Sequence, residues 1–358
     1  MNNATLTRAY ISLRQKYNDL RLVSRKDVDP SGFTLLAILK NEIYFLPEFL
    51  NHYRRLGVQR FVFLDDRSDD GSFEYLLEQP DTLVVHSDLD FGHKVKLSTS
   101  IAGPVMDSRI EFIWRAMLHD MFALDRWALQ VDLDEFIHLP RGVTFPELAA
   151  RLDHQRVRAL WGVMLDFYPK DIATFAENEN FTRLDISAAW YFDGEQHLQL
   201  RHGRSPKMVY PGARARLYCD YGLDKLYPVL GIRRQNRILQ LLRKIDMHTK
   251  PLHYNNIRKP VLLKWGGGCY FINPHKTNLP GSMHYLLPIQ HFRFSGSLGR
   301  KIRMALRDNS HFLGSSDYRL MMKLLCAMAE KSGSFLYRKS RLFESFDDFL
   351  ETRNAVGF

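Results

Sequence analysis

FTLLAILKNEIYFLPEFLNHYRRLGVQRFVFLDD, residues 33–66, decides the fold. Residues 33–39 are an unbroken apolar run of strand length, residues 40–57 carry apolar residues at helical spacing and stop at Gly57, and residues 61–66 open on a second apolar run. Strands that are apolar throughout are buried on both faces, as happens in parallel sheets covered by helices. The stretch therefore predicts a βαβ unit.

The alternation continues outward. Residues 69–79 have helical spacing, TLVVHSD (82–88) reads as a strand, residues 109–125 as a long helix, and WALQVDLDEFIHL (127–139) as one further strand. This order implies an α/β protein with a largely parallel sheet covered on both faces. Residues 5–24 read as a short amphipathic helix closed by the DVDPSG turn at 27–32, an arm packed on the main domain. Beyond Pro140 the pattern loosens into strands and loops rich in aromatics, and beyond Gly296 it turns helical again.

At 358 residues, with 45% hydrophobic and 25% charged residues, the chain has an ordinary globular balance, which excludes disordered, collagen-like and disulfide-scaffold classes. Three cysteines without metal-type spacing indicate neither a disulfide framework nor a cysteine zinc site, and suit a reducing cytoplasm. No stretch reaches about 18 uninterrupted apolar residues, so any membrane contact is expected to be peripheral. The net charge of +10 favours anionic partners. It is concentrated: residues 201–264 hold 15 Lys and Arg against 3 Asp and Glu, a local excess of 15 − 3 = +12. Within that segment, residues 229–245 read as a basic amphipathic helix suited to an anionic bilayer or to docking on the protein itself. No nucleic-acid module is recognisable, so no nucleic-acid partner is expected.

Ligands of open α/β sheets bind beyond the carboxyl ends of the strands. The polar clusters expected there are Lys40, Asn41 and Glu42, then Asp65 and Asp66, then Asp132, Asp134 and Glu135. In VDLDEF, Asp132 and Asp134 are two apart, so on a strand they point to one face. Carboxylates so placed suit Mg²⁺ or Mn²⁺, hard cations that keep positions open for substrate phosphates. A solvated acidic loop is the plain alternative. Asp69 and Asp70 read as turn and helix-capping residues, whereas Asp65 and Asp66, at the strand end itself, can accept hydrogen bonds from a ribose or a base.

Residues 37–72, with K-N-E, L-G-V and D-x-S-x-D-G in order, followed by D-x-D-E-F at 132–136, resemble the bacterial family 2 glycosyltransferases and are similar to family 92. MLDFYP (164–169), GARARLY (212–218), KPVLLKW (259–265), His275 and IQHFRF (289–294) extend the resemblance to residues 33–296. It implies a GT-A fold over residues 31–296, with a nucleotide-sugar half at 31–140 and an acceptor half at 141–296. Residues 1–30 are then an N-terminal helical arm and 297–358 a C-terminal helical extension. It also implies an inverting, metal-dependent transfer from a nucleotide sugar, such as a UDP-sugar, to a saccharide or lipid-linked saccharide at the inner face of the cytoplasmic membrane.

Carried over by position, Lys40, Asn41, Glu42, Asp65 and Asp66 fall in the base and ribose pocket, while Asp132 and Asp134 hold the Mn²⁺ or Mg²⁺ ion and the diphosphate. The leaving diphosphate needs cations, for which Arg214, Arg216, Lys259 and Lys264 are candidates. His291 is expected as a third metal ligand, with His275 as a further one. Asp166, at the end of an apolar run in the acceptor half, is the candidate general base, and Glu135 is its competitor. The sequence departs from the pattern at Asp65-Asp66-Arg67, where Asp-Asn is common, and at YPGARAR, where Gly-Gly-x-Arg-x-Arg is common. A transferase-like protein without turnover that binds anionic polymer or nucleic acid, and a nucleotidyltransferase, are the competing readings.

Overall fold

The computed structural model describes residues 3–98, 105–155, 157–201, 204–223, 256–308 and 312–358. The basic helix expected at 229–245 lies outside these residues. Nine strands build the central sheet: β1 (Arg21–Leu22), β2 (Thr34–Leu39), β3 (Arg60–Asp65), β4 (Thr82–His86), β5 (Trp127–Gln130), β6 (Glu135–Ile137), β7 (Ala159–Asp166), β8 (Arg258–Lys264) and β9 (Gly281–His291). Their order across the sheet is β1-β4-β3-β2-β5-β8-β7-β9-β6. The βαβ expectation holds for β4-β3-β2-β5, which are mutually parallel. Beyond β5 the sheet is mixed, because β8 runs antiparallel to both β5 and β7.

Every residue of β2 and β3 is buried. Period-2 alternation sends Leu35, Ala37, Phe61 and Phe63 into one core and Leu36, Ile38, Val62 and Leu64 into the other. Helix α1 (Asn3–Lys16) packs on the second face, where Tyr10 stacks on Tyr270 with centroids 4.5 Å apart. The N-terminal arm is more than a helix, since it goes on to add β1 to the sheet edge. Helix α2 (Leu46–Arg55) covers the first face. It stops at Gly57, whose φ of +86° suits a residue without Cβ and whose Cβ would meet Pro146 at 3.0 Å.

Helix α3 (Ser72–Glu78) follows β3, and α4 (Ile110–Phe122) crosses the second face. Helices α5 (Phe145–Asp153), α6 (Ile172–Asn178) and α7 (Ala213–Asp220) belong to the second half of the chain. The C-terminal region begins with α8 (Leu298–Asp308) and α9 (Phe312–Glu330), as the helical pattern predicts. It then returns to the body: Ser340–Leu342 pairs with Tyr191–Asp193, and Phe349, on α10 (Asp347–Glu351), is fully buried in the main core. Residues 297–358 are thus interleaved with the second half of the chain. Among the described residues, no helix is long and apolar enough to cross a membrane.

Candidate functional site

One edge of the sheet collects the polar groups. The carboxyl ends of β2, β3, β5, β7 and β9 and, because β8 is reversed, its amino end all open there. From β2 the chain order runs one way to β3 and β4, while β5 lies on β2's other side. The segments following β2 and β5 therefore flank a topological switch point, where a crevice forms because consecutive connections depart to opposite faces.

Asp132 and Asp134 do not lie on a strand. The predicted strand 127–139 breaks after Gln130, residues 131–134 form a turn in which Glu135 N–H donates to the Asp132 carbonyl (3.1 Å), and β6 crosses to the far edge to pair with β9. The alternation argument for a shared face therefore fails. The two carboxylates instead project from a turn with different partners. Asp132, its side chain 38% exposed, accepts from Arg115 (2.8 Å) and from the Lys259 ammonium (2.7 Å). Burial acts to raise its pKa, but Arg115 and Lys259 outweigh it and hold the carboxyl well below the usual range. Asp134 lies 3.3 Å from Lys301 Nζ and 3.8 Å from His291 Nε2. Against burial, Lys301 and His291 draw its pKa down to about 2.

Lys259, 1% exposed, bridges Asp132 and Glu135 (2.6 Å). Glu135 is pushed the other way: burial raises it, and Lys259 only partly offsets that. Arg115 is buried on α4, where Glu111 one turn earlier shares it (2.9 Å). Lys301, in the first turn of α8, also binds Glu42 (2.9 Å). Burial pushes the Glu42 carboxyl up to about 7, since one lysine faces it and the Asp134 charge opposes it. Two carboxylates face Lys301, and they raise it despite burial.

Asp166 ends β7 with both oxygens occupied: His291 Nδ1 donates to one (2.6 Å) and Arg214 Nε to the other (2.7 Å). Burial acts to raise this carboxyl, but Arg214 and His291 overcome it and depress it strongly. Asp166, expected as the general base, is buried with a donor on each oxygen, and in this arrangement it orients the His291 ring. Nδ1–H is held by Asp166, and Nε2 faces Asp134 at 3.8 Å. Glu135, the competing base, is 1% exposed and has no open face to an acceptor.

In the predicted base and ribose pocket, Asn41 is consumed locally. At φ 58° its amide exchanges two 2.7 Å hydrogen bonds with Asp69, tying the turn after β2 to the loop after β3. Asp70 accepts from Ser72 and Ile43, in keeping with the turn role expected of Asp69 and Asp70. Lys40 stands 3.6 Å from Asp66. Asp66 accepts from Phe91 N–H (3.2 Å), and Asp65 from Ser68 N–H (3.2 Å), with His86 Nε2 at 3.3 Å. Burial raises the Asp66 carboxyl, which Lys40 only partly counters. One oxygen each of Glu42, Asp65, Asp66 and Glu135 is buried with no hydrogen-bond partner among the described residues. Such orphaned acceptors are costly unless a ligand donor supplies the missing bond.

Two of the cations predicted for a diphosphate are elsewhere. Lys264 sits five residues beyond Lys259 on β8, about 17 Å along the strand, and pairs with Asp153. The direction of β8, which sends the two lysines to opposite ends, is not a local property of the sequence. Arg216 is buried in a pair with Asp193 (2.9 Å) and lies over the Tyr337 ring, 4.2 Å from its centroid. His275, half-buried, joins its Nδ1 to the Arg258 carbonyl (2.9 Å), and burial and Lys259 lower it to about 4, leaving a neutral imidazole. Arg115 and Lys301 join the carboxylates from α4 and α8. Both lie on helices that read as ordinary amphipathic segments, and only their contacts reveal them.

Among the described residues, no three His, Cys, Asp or Glu side chains gather as a complete metal-ion cluster. Comparison of the chain with protein-family models finds no matching family, and comparison with curated proteins finds no matching relative.

Proposed function

We propose that the chain is an inverting, metal-dependent glycosyltransferase of GT-A architecture, transferring a sugar from a nucleotide-sugar donor to a saccharide or lipid-linked saccharide. The observation that carries this reading is the Asp166–His291–Asp134 line at the switch-point edge, with the imidazole Nε2 directed toward a carboxylate 3.8 Å away. A carboxylate–histidine pair of this kind orients a metal-binding nitrogen. The strand sequence β4-β3-β2-β5-β8-β7 with β8 reversed, and the resemblance over residues 33–296, support the same reading.

Asp134 and His291 Nε2 are the oxygen and nitrogen donors that would hold a divalent ion in place of the Lys301 contact. Asp132 is not among them while Arg115 and Lys259 occupy both its oxygens. An ion held by Asp134 and His291 would supply charge neutralisation to the leaving diphosphate. The chain's own residues do the rest: Lys259, Arg115 and Lys301 place positive charge at the same edge, Asp166 and Arg214 fix His291, and the orphaned oxygens of Asp65 and Asp66 receive nucleoside hydroxyl or amino donors.

Screening nucleotide sugars for Mn²⁺-dependent release of nucleoside diphosphate tests the proposal. Release by the wild type and its loss in His291→Ala, with the fold retained by circular dichroism, is the expected result. Release of a sugar 1-phosphate, with the nucleoside monophosphate passed to an acceptor, would indicate a nucleotidyltransferase instead. No turnover of any donor would leave a binding protein.

A further inference from the structure

Beside the Asp134 edge lies a second cleft of roughly 240 Å³, lined in part by Tyr44, Phe181, Arg300 and Arg303, that the donor site does not use. Its walls are built together. Tyr44 follows Glu42 and its carbonyl accepts from Leu184 N–H (2.9 Å), which fastens the loop after α6 to the turn after β2. Opposite, the turn into α8 is pressed onto the end of α6: a Cβ on Gly296 would meet the Asn178 carbonyl at 1.9 Å. Arg300 and Arg303, three apart on α8, share one helix face. Neither makes a hydrogen bond or an ion pair with another described residue. Glu179 is the one carboxylate of the lining, leaving a formal excess of 2 − 1 = +1. Phe181 is 49% exposed at this cleft, an apolar ring with no core to bury it.

We propose that this cleft binds the acceptor, and that the acceptor is a saccharide bearing an anionic group, its ring packed on Phe181 and its charge on Arg300 and Arg303. This deepens the transferase reading and rests on it. Unpaired guanidinium forks recognise carboxylate and phosphate alike. The volume falls below the about 300–1,000 Å³ of drug-sized sites, which suits a single ring rather than a chain. Adjacency to the chemistry is covalent: Lys301, next to Arg300, reaches both Glu42 and Asp134.

The test is saturation-transfer NMR with three probes, methyl glucuronide, methyl glucoside 6-phosphate and neutral methyl glucoside, in the presence of saturating UDP and Mn²⁺. Both charged probes, or one of them, should bind about tenfold more tightly than the neutral one. Their ranking identifies a carboxylate or a phosphate source. Arg300→Gln with Arg303→Gln should erase that preference, and Phe181→Ala should weaken all three probes. The single variants serve if the double variant does not fold. Equal binding of charged and neutral probes, or a preference that survives in the Arg variants, overturns the inference. Charged-probe binding without UDP binding would refute the donor reading and leave an anionic-sugar site.

Discussion

Replacing Asp166 with Asn exchanges one carboxylate oxygen for an NH2 group and should disable the site at a distance. The wild-type carboxylate accepts short bonds from His291 Nδ1 and Arg214 Nε in a buried setting. Charge-assisted hydrogen bonds contribute about 1.5–3 kcal/mol each, and stripping the anion from a buried pair costs about 3–5 kcal/mol. Asn offers one carbonyl and one amide, so it can accept from only one of the two donors. If Arg214 keeps the carbonyl, the amide N–H faces His291 Nδ1, selects the opposite tautomer and puts a proton on Nε2, the atom facing Asp134. Stability should fall by about 3 kcal/mol or more, read as a lower urea midpoint at constant m-value. Mn²⁺ affinity should fall about 10- to 100-fold, as for other lost outer partners of metal-binding histidines. Because the folded-state pKa of Asp166 is depressed, its contribution is present above the unfolded value of about 3.9 and is lost as pH falls toward the folded value. The difference between wild type and variant should therefore shrink below about pH 4. A folded variant with wild-type Mn²⁺ affinity would refute the positioning role, and an unchanged urea midpoint would refute the buried pair.

Asp66→Asn should weaken nucleoside diphosphate binding by about 1–3 kcal/mol in calorimetry, because the orphaned oxygen loses its charge, and an unaltered affinity would count against the pocket. Arg216→Ala should destabilise the fold by about 3–5 kcal/mol through its buried Asp193 partner, yet leave the donor KM of folded protein unchanged; a raised KM would place Arg216 at the diphosphate after all. Lys264→Ala, at the opposite edge, should cost under about 1 kcal/mol and spare turnover, which a donor titration can check. Glu42, with its pKa raised to about 7, favours the protonated folded form, so the stability it contributes is present at low pH and lost as pH rises through 7. Stability should drop by about 2 kcal/mol between pH 5.5 and pH 8, a drop absent from Glu42→Gln in denaturant titrations at the two pH values.

The sequence by itself determined the βαβ core. Runs such as residues 33–39 and 61–64 are apolar at every position, and only a strand covered on both faces buries them all. It also located the carboxylates of β2, β3 and β5 at strand ends, because polarity resumes where the apolar run stops. What it did not determine follows from direction and partnership, which are not local properties. Lys259 and Lys264 look equivalent in KPVLLKW, but β8 pairs antiparallel with two neighbours, so one lysine joins the site and the other leaves it. The turn at 131–134 is equally hidden, since VDLDEF reads as an unbroken strand until β6 finds its partner β9, whose residues lie more than 140 positions later. Asp166 stands alone at the end of an apolar run in the sequence, and only the tertiary structure brings Arg214 of α7 and His291 of β9 against it. Burial and opposite charge, both set by tertiary contact, decide which carboxylates hold a proton and which cannot.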